Sequence, residues 1–308
     1  MNAPIAEQFT RAGCTGQLCV QSLDGAQEIA VDADRQVVAG SVFKVSVALE
    51  AETQFAGGRL DRQQRVTLPA ASRTPGPTGF SLFRDDVQVS AQDLVVAMLT
   101  ISDNVATDAL LRLVGIDAVN ATSARLGLSA SVITADLYTM INSIGRDAGF
   151  ADFAALQAWG SQPHSRDEAD QVDRRIRDGV ALTPRRAIRT TPRDMTTLLR
   201  LIWSGQAGPA AACERVRQIM SHQLTRHRLA AAFPPPARVS AKSGGLLGIV
   251  RNEIGVIEYP DGRGYAAAVF TQAEPRSSDA AINTVIGTAA AAAVRILAES
   301  VPAPAQAD

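Results

Sequence analysis

GSVFKVSVALE, residues 40–50, is where the chain turns from strand to helix and where one of its two lysines stands. Upstream, QLCVQSL (17–23) and QEIAVDA (27–33) read as strands joined at Asp24-Gly25, a hairpin dipeptide, so the chain is expected to begin in sheet. From Ser41 to about Phe55 the pattern is apolar, uninterrupted and helical, and helical segments dominate as far as residue 228. One of them, AQDLVVAMLTI, follows Ser90 with Asp93 three residues on, a capping-box-like start. ARVSAKSG (237–244), GIVRNEIGVIEY (248–259) and GYAAAVFTQ (264–272) return to strand, with Pro260-Asp261-Gly262 as a turn between the last two. Residues 279–299 close with a helix, and VPAPAQAD reads as a frayed tail. The sheet therefore takes strands from both ends of the chain. This predicts a discontinuous α/β domain from residues 1–37 and 229–308, an antiparallel sheet flanked by helices, with an all-α domain inserted at 38–228. Sites commonly lie where two such parts meet.

The bulk numbers exclude several classes. A chain of 308 residues, 46% hydrophobic, is expected to be soluble and globular. Its net charge of −1 comes from well-mixed charges, which leaves no electrostatic footprint for nucleic acid. The longest apolar run, AAAAAVRIL, is interrupted by Arg295 and reads as too short to span a bilayer. MNAPIAEQFTRAG lacks the basic and apolar segments of a secretory signal, so a cytoplasmic location is expected, or a periplasmic or secreted one if a signal has been removed. Cys14, Cys19 and Cys213 are expected to be free thiols, the first two on opposite faces of a strand. No metal-ligand spacing is present and no cofactor is implied; the expected partner is a small-molecule substrate of a monomer.

Of thirty basic residues only Lys44 and Lys242 are lysines, which leaves twenty-eight arginines. Arginine keeps its proton, whereas burial and neighbouring charge can tune a lysine until it acts as a base. Ser41 and Lys44 stand at i and i+3 at a helix start, on one face within hydrogen-bond reach, an arrangement that suits a nucleophile and its general base and, taken alone, equally an N-capping serine and a solvated lysine. Lys242 lies in KSGG (242–245), near a strand end beside a hydroxyl and two glycines, where backbone can approach a ligand closely and donate N–H groups. Between them Ser102-Asp103-Asn104 falls in a break between two helices; alone it would be a loop or N-cap signal.

S-x-x-K, S-D-N and K-[TS]-G in this order resemble the signature of the serine penicillin-recognising enzymes, the class A β-lactamases and penicillin-binding proteins. GSVFKVSVALEA, LTISDNVATDALLRLVG, TTPRDMTTLLRLI (190–202) and the stretch from RLAAAFP (228–234) through AKSGG also look like the corresponding class A segments. The resemblance implies a β-lactamase/transpeptidase-like fold and a serine hydrolase forming an acyl-enzyme on a β-lactam, amide or ester. Carried over, it makes Ser41 the acylated nucleophile and Lys44 the group that takes its proton. Ser102, aided by Lys242, would pass a proton to the leaving nitrogen, and Asn104 would bind the amide of the acyl side chain. The N–H groups of Ser41 and Gly245 would form the oxyanion hole beside Gly244. Ser243 stands for the commoner threonine, and Arg251 falls where many class A enzymes hold the substrate carboxylate.

The resemblance breaks at one place. Class A enzymes carry E-x-x-L-N, whose glutamate positions the water that removes the acyl group. Here the region reads SVITADLYTMINSIGRD, and laying Ile141-Asn142 on the pattern puts Tyr138 or Thr139 at the glutamate. About thirty-five extra residues follow, roughly 144–185, expected as a helical hairpin. Its acids, Asp147, Asp152, Asp167, Glu168, Asp170 and Asp173, are expected on a solvated face. His164, His222 and His227 read as structural or exposed, the last two in a helical stretch. Acylation is therefore expected to be fully equipped and deacylation not. A weak or atypical class A-like β-lactamase is the first expectation; a D,D-peptidase or esterase on another substrate, and a penicillin-binding sensor that stays acylated, are the alternatives.

Overall fold

A computed structural model of the chain describes residues 3–299, and the closing VPAPAQAD lies outside the described residues. The chain begins with a helix and not with sheet: α1 (Ala3–Arg11) precedes β1 (Cys14–Ser22). The reason is Ile5 and Phe9, one helical turn apart, which are buried on the sheet while the rest of the helix stays wet. β2 (Glu28–Val31) pairs antiparallel with β1 across the expected Asp24-Gly25 turn. After β3 (Val37–Val38) comes a 3₁₀ turn, Gly40–Phe43, that runs directly into α2 (Lys44–Ala56).

The middle of the chain is not all helix. β4 (Arg65–Leu68) and β5 (Val87–Ser90) pair as a small hairpin before α3 (Ala91–Thr100), which Ser90 caps by accepting the Asp93 N–H. Next come α4 (Asn104–Val114), α5 (Ile116–Arg125), α6 (Leu137–Asp147), α7 (Phe153–Gly160) and α8 (Arg166–Asp178). β6 (Arg189–Thr190) then pairs with β3, and α9 (Pro192–Trp203), α10 (Ala210–Ser221) and α11 (Leu229–Ala232) lead into the strands β7 (Arg238–Leu246), β8 (Val250–Glu258) and β9 (Gly264–Ala273). α12 (Asp279–Glu299) follows.

The main sheet runs β2-β1-β9-β8-β7, every neighbour antiparallel, so the first and last thirds of the chain lie side by side in one layer, joined where β1 pairs with β9. Alternation along each strand divides its side chains between two cores. Ile254, Val256, Ala266, Ala268 and Phe270 face the central helices. Val239, Ala241, Ile257, Ala267 and Val269 face α1, α11 and α12. β8 is buried through Ile257 because both faces are covered. α12 is long and apolar enough by composition to cross a membrane, contrary to the reading of its alanine run as too short, yet half of that span is buried inside the protein. It serves as a core helix here: Ala289, Ala290 and Ala293 let it lie close to the sheet. The three cysteines are free and buried, Cys14 on the α1 side and Cys19 on the side of Thr196 of α9.

Residues 133–188 form an excursion with a narrow neck. Val132 and Arg189 exchange backbone hydrogen bonds of 3.0 and 3.1 Å, and the hydroxyls of Ser131 and Thr190 meet at 2.7 Å beside the Asp194 carboxylate. The expected hairpin is present as α7 and α8, but α6 joins it, so the region is a three-helix unit. It has a small core of its own built on Ile144, Ala148, Leu156 and Ala181. Ala39 donates to the Ile188 carbonyl at 2.9 Å, which returns the excursion to the chain immediately before Gly40 and Ser41.

Candidate active site

The 3₁₀ turn puts residues i and i+3 nearly in line, which carries Ser41 and Lys44 to the same side. The Lys44 N–H bonds back to the Ser41 carbonyl. The lysine side chain is fully buried, and its ammonium donates to the Ser102 carbonyl at 2.7 Å and to Asn104 Oδ1 at 2.8 Å, with Ser102 Oγ at 3.4 Å. Burial pushes the pKa down to about 7, while the carboxylates of Asp103 and Asp108 pull it part of the way back. A neutral amine keeps two N–H groups for the two short bonds and has a lone pair left for a hydroxyl. The expected direct bond between Ser41 and Lys44 is not formed among the described residues; catalytic bonds are often long before substrate arrives.

Ser102 has φ +59°, a left-handed backbone that a serine adopts at a cost of about 1–3 kcal/mol when its surroundings force it. Asp103 supplies that force. Wholly buried, it caps α4 by accepting the Ala106 N–H at 2.8 Å and takes the Phe80 N–H at 2.6 Å. Asn104 is held at both ends, its oxygen by Lys44 and its nitrogen by the Pro75 carbonyl at 2.8 Å. An amide nitrogen carries two hydrogens, so one is left beyond the bond to Pro75.

Lys242 is fully buried and donates to the Ser243 carbonyl at 2.8 Å. Burial and then the nearby Lys44 charge hold its pKa well below the ordinary lysine value. Gly244 lets the strand lie close to the nucleophile turn: a Cβ there would lie 3.1 Å from both the Ala39 carbonyl and the Ser41 nitrogen, tighter than ordinary contact, and would press the two apart by a few tenths of an ångström. The N–H of Ser41 and the Gly244-Gly245 segment are thereby brought together.

Sequence reading missed the network behind this strand. Arg228 is buried and donates to the carbonyls of Gly244 (2.9 Å) and Asn252 (2.7 Å) and to Asn283 (2.9 Å). Asn252 in turn donates to the carbonyls of Val38 and Ala39. Gln223 accepts the Ser243 N–H and donates to Glu253 at 3.0 Å, and Glu253 accepts the Leu229 N–H at 2.6 Å. Burial raises the Glu253 pKa. The signal was the polar run Arg251-Asn252-Glu253 in an otherwise apolar strand. Arg251 borders the cleft as expected, but its guanidinium is bonded to Asp279 and to the Gly248 carbonyl, so a substrate carboxylate would share it with Asp279.

Ser41, Ser102, Asn104, Ser243, Gly244, Gly245 and Arg251 all border one cleft of about 520 Å³, within the size range of small-molecule sites. Tyr138 and Thr139 do not border it; both are exposed, because Asp136 caps α6 and turns this end outwards. Ile141 and Ile144 face it instead. No Asp or Glu lines the cleft among the described residues. The acids of the excursion are engaged elsewhere: Asp147 accepts the Val180 N–H, Asp152 and Glu168 serve helix starts, Asp170 pairs with Arg276 and Asp173 with Arg177. His222 ends α10 and His164 stacks on Trp159, but His227 lies beyond the helix and borders the cleft.

The family model described as "Beta-lactamase enzyme family" matches residues 2–297. The chain belongs to that family. It is 29% identical over 288 residues to the beta-lactamase regulatory protein BlaB of Streptomyces cacaoi, covering 88% of each chain. Against the extended-spectrum beta-lactamase PER-1 of Pseudomonas aeruginosa it is 26% identical over 247 residues, 77% of this chain and 68% of the other. In fold it resembles the crystal structure of a beta-lactamase from Sphaerobacter thermophilus, with a TM-score of 0.75, 23% identity and coverage of 98% and 100%. This β-lactamase-family chain is thus a serine hydrolase by family and has the β-lactamase/transpeptidase-like fold.

Within that family frame Asp108 explains how the excursion is seated. Its buried carboxylate accepts the N–H groups of Leu137 (2.8 Å) and Tyr138 (2.9 Å) and the Thr74 hydroxyl (2.6 Å). It thereby ties α4, the start of α6 and the loop before Pro75 to one point. Burial raises its pKa in spite of those bonds.

Proposed function

We propose that this β-lactamase-family protein is acylated at Ser41 by a β-lactam, or by a related amide or ester, and releases the acyl group slowly. The observation that carries this reading is a contrast within one cleft. Lys44, buried to a pKa of about 7, can take the Ser41 proton at neutral pH, whereas among the described residues no carboxylate lines the cleft to activate a water. Ser41 Oγ would attack the carbonyl carbon as its proton passes to Lys44. The developing oxyanion would sit on the N–H groups of Ser41 and Gly245. Ser102, with Lys242 behind it, would return a proton to the leaving nitrogen. The ester so formed would face Ile141 and Ile144 where a base would be needed.

Incubation with benzylpenicillin and a chromogenic cephalosporin, followed by intact mass and by turnover, tests this directly. A single adduct that outlasts the first turnover and is absent from Ser41→Ala is expected. Fast turnover without an adduct would overturn slow release, and no adduct with lactams or simple esters would overturn acylation. A sensing role is the second reading, favoured by the similarity to BlaB, which is described as a regulatory protein. It predicts an adduct that persists with no measurable turnover.

A further inference from the structure

A second cavity, larger than the catalytic cleft, lies beside it: an open groove of about 810 Å³ between α10 and the first half of β7. Residues 221–228 wall both. Gln223, Leu224 and Arg226 border the groove, whereas Thr225, His227 and Arg228 border the cleft. The segment is also tied to the catalytic motifs. Buried Gln223 accepts the Ser243 N–H, next to Lys242, and the Leu224 N–H donates to the Thr100 carbonyl at 3.0 Å, two residues before Ser102.

The groove holds charges that the fold leaves unmatched. Glu214 is engaged by Arg217 at 3.6 Å and by Gln218 at 3.0 Å. Arg238 and Glu258 also border the groove, opposite each other across β7 and β8. Among the described residues neither of their side chains forms a hydrogen bond or an ion pair. Arg226 uses one N–H on the Val239 carbonyl at 3.0 Å and keeps the rest of its fork. Beside these charges stand half-buried Trp203 and Leu224, the latter 73% exposed.

We propose that this groove is a second ligand site, for a short peptide with free termini and an apolar side chain, and that residues 221–228 pass its occupancy to the catalytic cleft. The peptide carboxylate would lie on Arg238 and the open part of the Arg226 fork, and its ammonium on Glu258. The apolar side chain would leave water against Trp203 and Leu224. A plain anion would meet Glu258 with no cation of its own, and a plain cation would meet two arginines. A zwitterion matches all three. Binding in the groove stands apart from acylation at Ser41, whereas the coupling rests on that reading, because the segment holds Ser243 and the residues leading to Ser102.

Calorimetry with phenylalanylalanine tests the site. Saturable binding is expected, weakened about 10-fold or more when either terminus is blocked, by N-acetylation or as the amide. The exposed substitution Arg238→Glu should weaken binding by a similar factor while the unfolding midpoint stays within about 2 °C. No saturable binding, equal binding of the blocked forms, or unchanged binding by Arg238→Glu would overturn the site. Acylation of wild type by benzylpenicillin, followed by intact mass, should change by about 5-fold or more at saturating dipeptide, and Arg238→Glu should not respond at the same concentration. An unchanged wild-type rate would overturn the coupling. Absence of any adduct in wild type would defeat acylation alone; the Kd of benzylpenicillin for Ser41→Ala, with and without the dipeptide, would then decide the coupling, and an equal Kd would overturn it.

Discussion

Lys44→Arg is expected to slow acylation of Ser41 by about 100- to 10,000-fold although the positive charge is kept. Two effects act together. A guanidinium does not give up its proton near neutral pH, so the serine loses its base. The larger planar group must also enter a site that has no exposed surface and two short acceptors placed for an ammonium, Ser102 O and Asn104 Oδ1. In wild type the rate of chromogenic cephalosporin acylation should rise as pH climbs through about 7, where Lys44 becomes neutral, and level off above it. The residual rate of Lys44→Arg should lack that step. A near-normal rate in the variant, or a wild-type profile flat through neutrality, would remove Lys44 from its role. The same shift bears on stability. An unfolded chain holds this proton to about 10.5 and the folded one only to about 7, so the unfolded state binds more protons between those values. This group therefore makes the fold more stable as pH rises through that window.

Arg228→Ala is expected to lower stability by about 3–5 kcal/mol, the usual result of removing one member of a buried charged network. The carbonyls of Gly244 and Asn252 would lose a buried donor, and Glu253 would lose the nearby positive charge that offsets part of its burial. For a chain of this size the midpoint of thermal unfolding should fall by on the order of 10 °C. Arg228→Lys should lie between, since one ammonium cannot reproduce a fork that reaches Gly244, Asn252 and Asn283. Acylation should weaken as well, because Gly244 sits against the nucleophile turn. Calorimetric unfolding of the three proteins measures the effect. An unchanged midpoint in Arg228→Ala would show that the carbonyls find water instead.

Several parts of this site were legible because their chemistry is local. Ser41 and Lys44 are three residues apart, and the Asp103 cap and the turn at Asp24-Gly25 follow from neighbouring residues. The network around Arg228 was not legible, because half of its partners are backbone carbonyls that leave no mark on the residue string. Laying E-x-x-L-N on the sequence puts Tyr138 or Thr139 at the missing glutamate; the fold puts Ile141 and Ile144 at the cleft. The difference is set by Asp136, which starts α6 early, and by Asp108, which fixes that start from another helix. Composition alone bounds the extra residues as a hairpin of two helices. Their true limit is the Val132–Arg189 pair, a contact between positions far apart in the chain.

By itself the sequence determined the strands at both ends, the closing helix, the motif residues and the lack of a glutamate in the expected pattern, all properties of short stretches with their own periodicity or capping chemistry. Tertiary structure alone decided that Lys44 is buried enough to lose its proton near neutrality, that Arg251 is already paired, and that Ile141, Ile144 and Phe153 border the cleft that holds Ser41. Those outcomes depend on which distant groups exclude water from a side chain. Desolvation acts through that packing and not along the chain.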